Sequence, residues 1–517
     1  MTEIQPGSDE WFAAVLVRRL QERLPHVQAM RNWYVGDAPF PYPDDPDANK
    51  KEVAESWRAL QEAARMNVAS VLVDARVPRM RVNGVQLIDD GSDSADEKIA
   101  SFIQRSNFRS KASDAFRDAL ICGAGYLVLT EDGLMNSSPE TTICQRDAHG
   151  KVIAALSVWV DIEKNEKVVN LARPGYSRRM RKKLSTTTTS PNNIPELNIA
   201  SLSLSAKGWE WDEKIDTGLD DVPVYEFALD SGIISKYLPT LKRINHTLLQ
   251  CGILVATQAF KQRGIIGAPT YDEDGNEIQY APDMFKLSPG ALWMLGEGTQ
   301  MWESGAVDIT PVRLLVKDSI EELAIESKTP LFLNTPDGAS GSAEGSATQR
   351  EGLAFDIEHI EDMFTASLQQ LFADAMQIEG EEDRAEASRL MIDWVNPRRA
   401  SAAERATAVQ IATSAGVPLT VALRKFGGFS ADEVAEVSEA EGFGALRDLV
   451  VQNATSGLAN QRENYNPNHE HEQPHSFRDE GLRKFSPNNP EAGAEPGVDG
   501  ASPYATGKLR SRAGGGE

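Results

Sequence analysis

The stretch 239–262, PTLKRINHTLLQCGILVATQAFKQ, has no proline after its first residue, and Leu241, Ile244, Leu248, Cys251 and Val255 recur in it at steps of three and four. One apolar stripe at that spacing predicts a single amphipathic helix. Pro239 suits the first turn, where the backbone N–H has no intrahelical partner. At 1.5 Å per residue the rod is roughly 36 Å long. Downstream, a short β-like insert over 264–312 leads to a second helix, expected to open at the capping box Asp318-Ser319-Ile320-Glu321 and to end before Pro330. The residues 335–346, TPDGASGSAEGS, are too rich in Gly, Ser and Pro for regular structure. A third helix is expected from the capping box Thr348-Gln349-Arg350-Glu351, with Leu353, Ile357, Ile360, Phe364, Leu368 and Leu371 on one face. This is the plan of a rod with a loop at its end, not of an active site.

Charge and cysteine usage narrow the class. A net charge of −24 argues against adhesion to nucleic acid over the whole surface. Half of that excess lies between Lys317 and Leu390, where 17 Asp/Glu face 5 Lys/Arg. The segment reads either as a set of solvated helix faces or as an acidic wall built by repeating it around a ring. Cys122, Cys144 and Cys251 have no metal spacing and no even pairing, which suggests a reducing compartment. The N-terminus has no signal-peptide pattern, and runs such as Cys251–Ala256 are far too short to cross a bilayer. The expectation is a soluble, intracellular product.

Residues 8–34 read as a helix capped by Ser8 or Asp9 and interrupted at Pro25. A Pro-rich linker, FPYPDDPD, follows, then a helical pattern over 50–73, and a strand with a turn around Asn83-Gly84. Two short helices, 94–107 and 110–121, break at Gly123-Ala124-Gly125 into the strand 126–130. From 138 to 230 the period falls to two, with Ile153–Val160, Leu197–Leu204 and Trp209–Trp211 as strands of an antiparallel sheet. Two inserts are expected to interrupt it: a basic one over 173–183, and the low-complexity run 185–193. The basic cluster can touch DNA, meet an acidic neighbouring subunit, or be solvated. Met391–Val395 is a short apolar run, helices follow from Arg398, and 453–517 has the composition of a disordered tail.

No catalytic chemistry emerges. Gly507-Lys508-Leu509 lacks the hydroxyl and the first glycine of a phosphate loop. HExxH, GxSxG, zinc-ribbon and dinucleotide fingerprints are absent. Glu381-Glu382-Asp383 lacks turn glycines at ligand spacing and reads as surface. His469, His471 and His475 read as part of a solvated tail rather than a metal site. Neither catalytic residues, metal ligands nor a cofactor are assigned.

The order of motifs over residues 10–445 resembles the portal proteins of tailed bacteriophages, particularly siphophages of actinobacteria. The motifs are Trp33-Tyr34-x-Gly36-Asp37, Ala64-Arg65-x-Asn67, Val71-Leu72-Val73-Asp74, Arg81-Val82-Asn83-Gly84, Gly123-x-Gly125-Tyr126 and Arg243-Ile244-Asn245. The resemblance implies an α+β, mainly α-helical fold: a wing (1–234), a first stem helix (235–263), a clip (264–312), a second stem helix (313–333), a tunnel loop (334–349), a long helix (350–397), a crown (398–452) and the tail (453–517). It implies a ring of usually twelve copies at one capsid vertex of the virion, assembled in the host cytoplasm, with a channel for double-stranded DNA. The partners implied are the terminase large subunit, a head–tail adaptor, and the major capsid and scaffolding proteins, with no membrane. Leu241, Ile244, Leu248, Cys251 and Val255 would pack the stem. Lys328, Ser340, Gly341, Ser342 and Arg350 would line the channel; for Lys328 and Arg350 the alternative is a solvent-facing helix end. A channel passing every sequence needs acidic walls that do not trap phosphate, and a Gly/Ser loop gives a soft contact. The competing readings are an adaptor or minor capsid protein without a channel, and a metal-dependent nuclease, for which no spaced constellation exists.

Overall fold

The computed structural model describes residues 5–42, 51–88, 95–131, 133–184, 197–205, 207–259, 263–267, 300–303, 308–329, 343–398, 402–429 and 434. They belong to a unit ending at Val451. The tail 453–517 and the run 185–193 lie outside them.

Helix α1 (Asp9–Val35) is capped by Ser8, whose side chain accepts from the Trp11 N–H. It runs unbroken through Pro25, contrary to the interruption expected there. An interior proline costs about 3 kcal/mol. Packing offsets it, because Leu16, Leu20 and Leu24 before it and Val27, Met30 and Trp33 after it are all buried. The helix stops at Gly36, whose φ of 87° is the left-handed C-terminal geometry that glycine adopts freely. The pattern over 50–73 divides into α2 (Lys51–Ala63) and α3 (Ala69–Asp74). A 3-10 turn (Val77–Arg79) then enters β1 (Val82–Leu87). Asn83-Gly84 is not a turn: β1 passes through it, with a register shift between Val82 and Gly84.

Helices α4 (Glu97–Arg105) and α5 (Phe108–Cys122) follow, and then β2 (Ala124–Thr130) and β3 (Gly133–Ser137). The glycines between α5 and β2 answer a steric need. A Cβ on Gly125 would sit 1.8 Å from the Ala115 carbonyl oxygen, so the strand can cross α5 only there. Next come β4 (Thr142–Arg146), β5 (Val152–Asp161), β6 (Glu166–Arg173), β7 (Tyr176–Lys183) and β8 (Glu210–Asp216), an antiparallel meander in that order. The basic residues 176–183 are therefore a strand of this sheet rather than an insert interrupting it. Two of their charges are met within the chain. Arg178 reaches Asp9 at 3.4 Å and lies over Trp211, while Arg181 holds Asp212 at 2.6 Å and Glu166 at 3.5 Å. Leu197–Leu204 is irregular rather than a strand: Gln21 of α1 donates to the Ile199 and Leu202 carbonyls, taking bonds that a neighbouring strand would make.

Strand β9 (Val224–Ala228) joins β2 and β3, and a short α6 (Gly232–Lys236) leads to α7 (Leu238–Ala259). Beyond α7, β10 (Arg263–Ile266) pairs antiparallel with β11 (Gln300–Glu303). Helix α8 (Thr310–Glu326) starts earlier than the capping box implied, with Pro311 in its first turn. Ser319 is buried mid-helix and donates its hydroxyl to the Leu315 carbonyl at 2.8 Å, a helix-interior use of serine instead of a cap. Helix α9 (Ala343–Ile378) also begins ahead of its expected box at Thr348. Ala343, Glu344 and Ala347 are good helix formers and outweigh Gly345 and Ser346. Strand β12 (Leu390–Trp394) returns to pair with β1, and α10 (Ala402–Ser414), α11 (Leu419–Ala422) and a π-helical turn (Leu423–Gly427) close the described chain.

Two apolar cores divide α1 between them. Its N-terminal half packs on the five-stranded sheet through Phe12, Leu16, Leu20, Leu156 and Leu171. Its C-terminal half joins α3–α5, β2, β9, α7, α9 and β12 in the main core. There Phe116, Phe227, Phe364 and Trp394 stack or meet edge-on at 5.0–5.8 Å. All six apolar residues anticipated on the α9 face are buried.

Candidate functional site

Helices α7 and α8 pack side by side and rise from the main core, and the sequence motifs converge at their foot. Arg65 donates to Asp37 at 2.7 Å and lies 4.2 Å over the Phe40 ring. Asn67 donates to the Tyr34 carbonyl and packs on Gly36. Tyr34 in turn donates to Asp74 at 2.9 Å. From α7, the Asn245 side chain accepts the Met66 N–H at 3.1 Å. Trp33-Tyr34-x-Gly36-Asp37, Arg65-x-Asn67 and Arg243-Ile244-Asn245, up to 212 positions apart in the chain, thus form one joint under the helix pair.

The five stripe residues on α7 follow a gradient. Leu241 and Ile244 are each 1% exposed, Leu248 packs on the core partly buried, Cys251 is intermediate, and Val255 is 47% exposed. Leu249, fully buried, was not on the expected stripe. On α8, Leu314 and Leu315 toward the far end are exposed by half, while Ile325, 71% exposed, sits at the root. The far end of the pair therefore presents apolar surface that one copy leaves uncovered. Ile244→Asp is expected to destabilise the isolated chain by several kcal/mol, since the charge has no partner there. Val255→Asp should stay within about 0.5 kcal/mol of wild type in the same denaturant titration. Equal losses would place Val255 in the core.

The root of the second helix is held by a residue the sequence reading missed. Arg76 is 1% exposed. Its guanidinium donates to the Leu72 carbonyl at 2.7 Å, the Ser327 carbonyl at 2.7 Å, the Thr329 hydroxyl at 3.0 Å and Asp356 of α9 at 2.8–2.9 Å. The same side chain thus fixes the chain immediately before residue 330 and a point on α9 beyond residue 343. One signal was available: an arginine directly after the apolar run VLVDA, where the core continues on both sides. Tyr237 adds a bond from its hydroxyl to the Glu326 carbonyl at 3.0 Å.

Lys328 ends α8 in the left-handed region, at φ 53°. Thr329 N–H reaches the Ala324 carbonyl and Lys328 N–H that of Ile325, the paired bonds that commonly require glycine at this place. Lys328 is exposed and its stem lies against Gly352 of α9. Arg350 falls in the N-terminal part of α9. Ser340, Gly341 and Ser342 lie outside the described residues, as does most of the expected tunnel loop; its last part, 343–349, is helical. The described residues contain no group of three or more His, Cys, Asp or Glu placed to hold a metal. No described helix is long and apolar enough to cross a membrane.

The model of one protein family, described as "Phage portal protein, SPP1 Gp6-like", matches residues 14–301. No curated protein matches the chain. Among solved structures, a chain from the virion of a native gene transfer agent particle is 12% identical, with 76% of this chain and 98% of that one covered at a TM-score of 0.37. A chain from the neck of an empty particle of the same kind is 13% identical, with 72% and 96% covered at 0.38. At those scores the likeness carries no argument about fold or role.

Proposed function

Since the chain belongs to the SPP1 Gp6-like family of phage portal proteins, we propose that its copies form a closed ring, of twelve subunits, at one vertex of a capsid. Double-stranded DNA enters and leaves through the ring without regard to sequence. The observation that carries this reading is the helix pair α7–α8, rooted in the core by Arg76 and uncovered at its far end. Repeated around an axis, that far end is covered by the neighbouring copies, and the segment 330–342 is brought to the axis. The acidic faces of α8, including Asp318, Glu322 and Glu326, keep phosphate from being held. On this reading the span containing β10 and β11 meets the terminase large subunit and later the head–tail adaptor. The outer parts meet the major capsid and scaffolding proteins. Lys328 and Arg350 supply the weak phosphate contacts.

The test is negative-stain microscopy of the purified full-length protein, with mass measurement of the particle. Rings with a central hole wide enough for a duplex are expected. Monomers, or particles without a hole, would favour an adaptor or minor capsid role instead.

A further inference from the structure

A carboxyl group with nothing to bind lies in the groove between α9 and the C-terminal helices. Glu361 is 3% exposed, and its Oε1 is sealed from solvent without a hydrogen-bond partner. Burial, with Glu358 and Asp362 beside it, pushes its pKa up to about 8. It lines a cavity of about 810 Å³ walled by β12 and the residues after it on one side, and by α10 and the π-helical turn on the other. From β12 and the following turn, Asp393 and Arg398 face the cavity; from α10, Glu404 and Arg405; from the π-helical turn, Arg424 and Lys425. Asp393 is taken by Asn83 at 2.9 Å, and Arg398 lies 3.8–3.9 Å from Glu351 and Glu358. None of these bases bonds Oε1 of Glu361. The rim is apolar and exposed at Val395, Phe426 and Phe429.

We infer that Glu361 is the socket for a lysine or arginine side chain of a second copy of this chain, seated in the groove when copies assemble. The inference rests on the ring reading above and names a contact within it. The cavity holds four carboxylates, Glu358, Glu361, Asp393 and Glu404, and four basic side chains, Arg398, Arg405, Arg424 and Lys425, yet the buried oxygen of Glu361 takes a bond from none of them, and burying it calls for a donor from outside the copy. The charge complement is carried by the chain itself. Lys183, Lys242 and Arg313 are exposed and have no ion-pair partner among the described residues. An incoming ammonium or guanidinium supplies the missing donor and favours the ionised carboxylate, so that seating it releases the proton.

The sign of the pH dependence follows. In a free copy Glu361 keeps its proton up to about pH 8, whereas the unfolded chain loses it near 4.5. The free copy therefore becomes less stable as pH rises through that window. Assembly runs the other way: the seated cation needs the proton gone, so association tightens with pH and levels off above 8. One proton released per contact gives close to a tenfold change per pH unit.

The experiment compares wild type, Glu361→Gln and Glu361→Asp, all full length, by sedimentation and mass photometry between pH 6 and 9. Folding of each is checked by circular dichroism. His359, exposed on the same helix, is common to all three. The wild-type dissociation constant should fall with pH up to about 8 and then flatten. Glu361→Gln should lose the slope or the assembly, and Glu361→Asp should keep the slope with weaker association. Equal rings with equal pH profiles in wild type and Glu361→Gln overturn the socket and leave the ring standing. A monomeric wild type at every pH overturns both. Unchanged assembly with altered DNA retention overturns the socket and gives the groove to nucleic acid.

Discussion

Replacing Arg76 with alanine is expected to cost the folded chain about 3–5 kcal/mol, the loss typical of removing one partner from a buried ionic network. The side chain is sealed, and four separate groups spend their hydrogen bonds on it. Alanine leaves the Ser327 carbonyl and the Thr329 hydroxyl without this donor and strands the Asp356 carboxylate against the core. The chain before residue 330 then loses its polar tie to α9, so ring yield should fall with stability. Arg76→Lys should recover part of the loss, because an ammonium keeps the charge but cannot reach all four acceptors in the guanidinium plane. Denaturant midpoints of the three proteins decide the matter. A wild-type midpoint for Arg76→Ala would mean the network is not buried in solution.

Deleting residues 334–342 should have the opposite profile: rings form normally, and filled heads are lost. The deletion stops at 342 because α9 begins at Ala343. Closure is feasible. Lys328 lies against Gly352, and Ala343 is about 14 Å further along the helix axis. The four residues left between Thr329 and Ala343 span up to about 17 Å. The deleted stretch holds Gly and Ser with no Lys or Arg, which suits a compliant collar on a duplex of any sequence. Complementing a portal-deficient phage with the deletion and counting stably filled heads gives the answer. Normal counts would refute the collar and move the DNA contact to other residues. The strand around Arg178–Lys183 is a weak successor, since Arg178 and Arg181 are already paired within the chain.

What was legible in the sequence had a local cause. The α9 face, the helix and strand on either side of Gly123 and the strand Ile153–Val160 are set by period and by turn glycines, and the structure places them as read. The misreadings were made where distant packing overrode a local signal. Pro25 stays helical because two cores hold the halves of α1. Asp318-Ser319 resembles a cap, yet the helix had already begun at Thr310. The charges of residues 176–183 suggested an insert open to DNA, a neighbouring subunit or solvent, because the partners of Arg178, Asp9 and Glu10, lie some 170 residues away. Glu361 carries no pattern at all and Arg76 only its place after VLVDA: one is defined by the absence of any partner, the other by Ser327, Thr329 and Asp356.

The pairing of β1 with β12 sets a timetable for the newborn chain. Leu87 meets Leu390, Arg76 meets Asp356, and Phe116 meets Phe364. At about 5–20 residues per second, roughly 15–60 s separate the synthesis of Leu87 from that of Leu390. Throughout that interval β1 has an open edge, and for most of it Arg76 lacks its carboxylate and the main core lacks its longest helix. The five-stranded sheet can close as soon as Asp216 has emerged, but the main core cannot. A polysome thus carries half-built subunits whose apolar surfaces face one another at high local concentration. On the ring reading, a copy can offer a finished main core to its neighbours only after Trp394 has emerged, the last residue of the strand that closes the edge of β1.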